Sequence, residues 1–277
     1  MLKGPSIARW LYDEGESRPY GDVDLVVSPS RFGDAEVIAG GLGFRHIKLG
    51  DQLDEASRHR SWFREQDGVC IELHRNFTGI NVTDQQFWDE LATKTDVLPL
   101  GVLEVSAEVP GVPARALLIG LHAAAHGPVG TPLADLERAL RRLPDSVWND
   151  AAELARRLRA EPTFAVGLSL VPVGAALACR LNLDLEASTE TLLNASAPPP
   201  TAGGWERFAR APGVRGKLRF ALAKLAPPPD FMRVVDPISR RGGAWLAIGY
   251  AVRPFRLAIQ APRGFRAWRS VHRRRSL

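Results

Sequence analysis

The chain has 277 residues, 45% hydrophobic and 24% charged, with a formal net charge of +5. That length can bury a sizeable core, as one large domain or two modest ones. Its two cysteines, Cys70 and Cys179, match no metal-ligand spacing, and no apolar run is both long and unbroken enough for a bilayer. These features argue against a disulfide scaffold, a cysteine zinc site and a spanning helix, and lead to the expectation of a soluble, reduced, cytoplasmic protein. The charge is unevenly placed. From Pro237 onward there are ten arginines and no lysine, aspartate or glutamate, so the remainder holds 26 basic against 31 acidic groups. Any inference from basicity to nucleic acid therefore attaches only to the tail.

In chain order, Lys3-Gly4-Pro5-Ser6 opens a helical pattern with Ile7, Ala8, Leu11 and Tyr12 on one face, and Pro5 suits the first helical position. A helix start offers free N–H groups and a partial positive charge, and glycine lets a phosphate approach the backbone. Lys3 adds a point charge, and Ser6 either joins this turn or caps it. Arg18 sits in the following loop. The segment Asp22 to Val27 reads as a strand, in which Asp22 and Asp24 leave one face while Val23, Leu25 and Val27 leave the other. Two carboxylates on one patch repel unless they are solvated or share a cation. Oxygen ligands of this kind suit Mg²⁺ or Mn²⁺, which completes its shell with water and substrate phosphates.

A helix is expected from Ser28-Pro29 towards Ala39, stopped by Gly40-Gly41, and then a strand at 44–49. Next comes a hairpin, 58–65 and 69–76, joined by Asp67-Gly68. Within its second strand Val69, Ile71 and Leu73 share one face, and Cys70, Glu72 and His74 the other. Glu72 thus faces the cleft of Asp22 and Asp24 if the strands are neighbours. Thr83 and Gln86 have capping-box spacing for a helix bearing Phe87, Trp88 and Leu91. A short strand at 100–105 and a Pro-Gly loop at 110–113 close the α/β part.

Helices are expected at 113–126, 131–143, 145–160 and 163–181, an extended connector at 197–204, and a second break at 227–229. His122 and His126 lie on one helix face among leucines and alanines, so they read first as packing histidines and second as substrate contacts, with Asp135 a hydrogen-bond partner for one of them. His74 is the better pocket candidate.

Lys3-Gly4, Leu11-Tyr12, Arg18 and GDVDLVV at 21–27 together resemble the uncharacterised bacterial nucleotidyltransferase family, a minimal branch of the DNA polymerase beta-type superfamily. VCIELH at 69–74 resembles the family's aspartate-leucine-histidine segment, with Glu72 in the aspartate's place. LHAAAHG, LADLERAL and FMRVV through the tail resemble it too. The resemblance implies an α/β (α+β) fold: a polymerase beta-type mixed sheet with flanking helices in residues 1–112, a helical domain at 113–236, and an arginine-rich helical tail at 237–277.

It also implies an activity: attack of a hydroxyl or similar acceptor on the α-phosphate of a nucleoside triphosphate, ATP foremost, with loss of pyrophosphate. Asp22, Asp24 and Glu72 are then the catalytic carboxylates and metal ligands, and Lys3, Gly4, Ser6 and Arg18 the nucleotide contacts. The alternative is a catalytically inactive or truncated binding protein of the same fold. Only Met1 and Leu2 precede Lys3, where the superfamily runs a full strand, so the expectation is a late start or truncation, with Val23, Leu25 and Val27 under-covered and marginal stability. In the tail, Arg253, Arg256, Arg263, Arg266, Arg269 and Arg273 to Arg275 interleave with Phe255, Phe265 and Trp268. This pattern fits nucleic acid, an anionic membrane, or a solvated helix that pairs with acids elsewhere in the chain.

Overall fold

The computed structural model of the protein describes residues 1–47, 58–100, 105–199, 201–239 and 242–275. After α1 (Pro5–Leu11) the chain enters β1 (Val23–Val26), passes a 3₁₀ turn at Pro29–Arg31 into α2 (Phe32–Gly41), and continues through β2 (Arg45–Ile47), β3 (His59–Arg64) and β4 (Val69–His74). These strands form one mixed sheet in the order β1-β4-β3-β2, parallel only between β1 and β4. The hairpin β3–β4 rests on Gly68, whose φ of +70° supplies the left-handed turn position that side chains disfavour. β1 is the edge strand, and the Leu2 N–H donates to the Asp24 carbonyl at 2.8 Å along its outer side. Val23, Leu25 and Val27 are half-buried.

The Thr83–Gln86 capping box is present at the start of α3 (Asp84–Ala92), with both reciprocal bonds at 3.2 Å. Beyond α3 the chain makes a separate hairpin in place of the single strand expected at 100–105: β5 (Thr95–Pro99) pairs with β6 (Ser106–Pro110), closed by Leu100 N–H to the Val105 carbonyl at 2.7 Å. Of the strand expected at 100–105 only Leu100 and Val105 are described, and 101–104, like 48 and 49 of the earlier strand, lie outside the described residues.

The rest is helical: α4 (Val112–His126), α5 (Gly130–Arg142), α6 (Asp145–Arg157), α7 (Glu161–Leu168), α8 (Pro172–Arg180), α9 (Thr189–Ala195), α10 (Ala202–Arg210), α11 (Gly213–Leu225), α12 (Pro229–Val235) and α13 (Gly243–Arg275). The single helix expected at 163–181 is two. Pro172 lacks an N–H and pushes Val171 to extended backbone, φ −130° and ψ 145°, which ends one helix and starts the next. Likewise the expected connector at 197–204 is helical from Ala202, because Trp205 and Phe208 give it an apolar face to bury.

α4 is buried nearly all round and packs against α5, α6, α7 and α9. It crosses α7 at two glycines: a Cβ on Gly167 would stand 2.0 Å from the Gly120 carbonyl oxygen. One continuous apolar cluster runs from Leu2, Ile7 and Leu11 through Phe87 and the leucines of α4 to Trp148, Phe164 and Leu183. The helices therefore press directly on the element that precedes the acidic strand, and hold α1 over the end of the sheet.

Candidate active site

The parallel register of β1 and β4 sets Asp24 opposite Glu72 and Val26 opposite His74, and β3 adds Ser61 opposite Glu72 and His59 opposite His74. Paired residues on adjacent strands share a face, so two carboxylates and two imidazoles converge. Asp24 is almost wholly buried. Its Oδ1 receives the Lys3 ammonium at 2.9 Å and faces His74 Nε2 at 2.8 Å. Burial opposes its ionisation, but the His74 bond and the Lys3 charge outweigh that and hold its carboxyl well below the usual range.

Glu72 accepts from the Ser61 hydroxyl at 3.1 Å and lies 3.3 Å from His74 Nε2. Burial again opposes its charge, and again His74 and His59 prevail, so its pKa is lowered. Asp22, just ahead of β1, is pushed the other way, by burial and then by the charges of Asp24 and Glu72. One ligand atom from each of Asp24, Glu72 and His74 lies within 4.8 Å of the others, a donor set that fits a divalent cation.

These groups line a cavity of about 340 Å³, a size typical of small-ligand sites. Lys3, Gly4, Arg18, Asp22, Asp24 and Glu72 all reach it. Gly4 is required there: its φ is +69°, and a Cβ would lie 3.0 Å from the Asp22 carbonyl oxygen, so the turn before α1 rests on the acidic strand. Ser6 does not reach the cavity; it is buried, with its hydroxyl donating to the Leu2 carbonyl.

Arg18 is fixed from behind, with Nε and Nη2 on Asp135 of α5 at 2.6 to 3.1 Å, while Nη1 makes no hydrogen bond among the described residues. Asp135 is therefore the anchor of Arg18 and of the Tyr12 hydroxyl (2.8 Å), and not a partner of a histidine. His122 and His126, with ring centroids 4.6 Å apart edge to face, both line the cavity. Tyr20, Arg58, His59, Asn76 and Thr131, which carry no motif in the sequence, are also among the lining residues.

The His74 pKa is raised: burial favours the neutral ring, but the hydrogen bonds to Asp24 and Glu72 outweigh it. A group raised in the folded state contributes stability that is fully present below its unfolded value, 6.5, and lost as pH climbs through the folded value. NMR titration of the metal-free protein is expected to show the His74 ring with a midpoint above 6.5. A midpoint at or below that value would contradict the arrangement.

A mixed sheet thus presents paired carboxylates beside a lysine-glycine helix start, with Asp24, Glu72 and His74 near enough to one another to be able to hold a metal ion. Residues 1–173 match the model of the uncharacterised nucleotidyltransferase family, and the chain belongs to that family. The mixed sheet, flanking helices and helical C-terminal region are consistent with a nucleotidyltransferase-type fold. No curated protein and no solved structure matches the chain.

Proposed function

We propose that the protein transfers a nucleoside monophosphate from a nucleoside triphosphate, ATP foremost, to an acceptor hydroxyl, with release of pyrophosphate. The observation that carries this reading is the Asp24–Glu72 register directly beneath the Lys3-Gly4 turn. Asp22, Asp24 and Glu72 would hold Mg²⁺ or Mn²⁺, with His74 as a further donor or as the group that orients Asp24. The metal, when bound, neutralises phosphate charge and lowers the pKa of an attacking oxygen. Lys3 and Arg18 Nη1 then face phosphate oxygens, and the backbone at Gly4 permits their close approach. Glu72, which accepts a hydrogen bond from Ser61, would take the proton of the acceptor hydroxyl. His122 and His126 form the wall nearest the acceptor or the nucleotide. Burial keeps both below the ordinary imidazole value, so they serve as neutral hydrogen-bonding groups near neutral pH.

Calorimetry tests the reading. Wild-type protein is expected to bind ATP in the presence of Mn²⁺ or Mg²⁺, and the Asp22→Ala/Asp24→Ala protein to lose that binding while keeping a cooperative melt. Equal metal-dependent binding in both proteins would end the proposal. A second reading, binding of metal and nucleotide without turnover, is favoured by one contact: Lys3 and His74 both fall on the same oxygen of Asp24, where a ligated metal would compete with them. Pyrophosphate release from bound ATP separates the two readings.

A further inference from the structure

α13 carries no acidic residue along its 33 residues. Its inner side is committed to the protein. Gly249 and Gly264 lie so close to Ser239 and Thr201 that a Cβ would stand 2.1 Å from each hydroxyl oxygen. Arg256 pairs with Asp236 at 2.9 Å, and Trp268 Nε1 donates to Glu206 at 2.7 Å. The other side is different. Trp245, Ile248, Phe255 and Ile259 recur at helical spacing as one stripe, and all four are exposed, Phe255 by 71% and Ile259 by 70%. Continuing along the same outer face come Arg263, Arg266, Arg269 and Arg273, also exposed. α11, in contact with α13, offers a second exposed stripe, Val214, Leu218, Leu222 and Leu225, with Arg215 and Arg219 along one flank.

We propose that the outer face of α13 is a docking surface for an anionic lipid bilayer. The charge, with Trp245 and Phe255 to stack on bases, would admit a nucleic acid, but Ile248 and Ile259 neither stack on bases nor bond to them, and would stay in water on such a partner. A second copy of this face would bury the apolar stripe but offer the arginine row no anionic partner, since α13 carries no acidic residue. An anionic bilayer satisfies both halves, with phosphates for the arginines and a hydrocarbon boundary for the stripe. The helix lies along the surface and does not cross it: among the described residues no helix is long and apolar enough to span. This surface is independent of the nucleotidyl-transfer reading.

The full chain is tested by co-sedimentation with phosphatidylcholine vesicles, with and without phosphatidylglycerol, at low and high salt. Wild-type protein is expected to sediment with the anionic vesicles, and far less with neutral ones or at high salt. Phe255→Ser/Ile259→Ser is expected to weaken binding by at least roughly tenfold with an unchanged melting temperature, since these side chains touch little of the fold. Arg263→Gln/Arg266→Gln/Arg269→Gln is expected to weaken it by about fivefold per arginine at low salt. Absent vesicle binding, or binding indifferent to both variants, overturns the proposal. So does salt-dependent binding of a short RNA without vesicle binding, or a dimer in sedimentation velocity that the serine variant disperses.

Discussion

Asparagine at position 24 is expected to lower metal-dependent pyrophosphate release by on the order of 10³-fold, because one anionic ligand supplies several kcal/mol of charge stabilisation and each 1.36 kcal/mol is tenfold. Asp24 is the point where three interactions meet. It faces Glu72 across the parallel ladder, receives the Lys3 ammonium, and holds His74. Asparagine keeps the shape and one accepting oxygen, so Lys3 retains a neutral partner, and what is removed is the charge. The melting temperature should fall by several degrees, since Lys3 keeps an accepting oxygen but loses the charge, and a hydrogen bond to a charged group is worth about 1.5 to 3 kcal/mol. The His74 midpoint should fall in the same protein, as it loses its strongest acceptor. That shift distinguishes loss of a local charge from general unfolding. Wild-type turnover in the asparagine protein would mean that the chemistry lies elsewhere.

Alanine at Arg18 is expected to cost stability more than any exposed substitution. The Arg18–Asp135 pair is almost fully buried, with side-chain exposures of 4% and 2%, and it ties the loop after α1 to α5 across 117 positions of sequence. Removing the guanidinium leaves the Asp135 carboxylate in the interior with only the Tyr12 hydroxyl, and stripping one partner from such a pair costs about 3 to 5 kcal/mol. At roughly 2 to 4 °C per kcal/mol for a chain of this class, thermal denaturation should come about 10 °C earlier. Tyr12 reports on the same contact, since its phenol is pushed up to about 12 by burial and by its bond to Asp135.

The Arg18→Met/Asp135→Leu protein should regain much of the loss, because a packed apolar pair needs no desolvation, but not all of it, since the Tyr12 hydroxyl is left without its acceptor. A melting temperature within about 2 °C of wild type for Arg18→Ala, measured by calorimetry at about 1 °C precision, would show that the pair is not the tether described.

Much of the site was legible because its signals are local. Alternation in GDVDLVV and VCIELH assigns Asp24, Glu72 and His74 to the polar faces of their strands, and the Thr83–Gln86 spacing names a helix start that is present. Asp67-Gly68 needs only its own backbone to make a turn. The lysine-glycine start and the most specific part of the family resemblance lie within the first 27 residues and VCIELH. The tertiary structure was required for everything that depends on a neighbour far away in sequence. Periodicity tells which face a side chain leaves, but not which strand stands opposite, so the Asp24–Glu72 register and the turning of His74 between the two carboxylates emerged only with the sheet.

The tether of Arg18 to Asp135 could not be read from its loop, and His122 and His126 read first as packing residues until α4 was placed against the cavity, for an apolar helix has the same pattern whether one turn meets protein or a pocket. The same reason governs the tail. Its sequence sets the arginine and aromatic content, but only the packing of Gly249, Gly264, Arg256 and Trp268 against the preceding helices decides which face is left outward, because burial is a property of partners and not of residues.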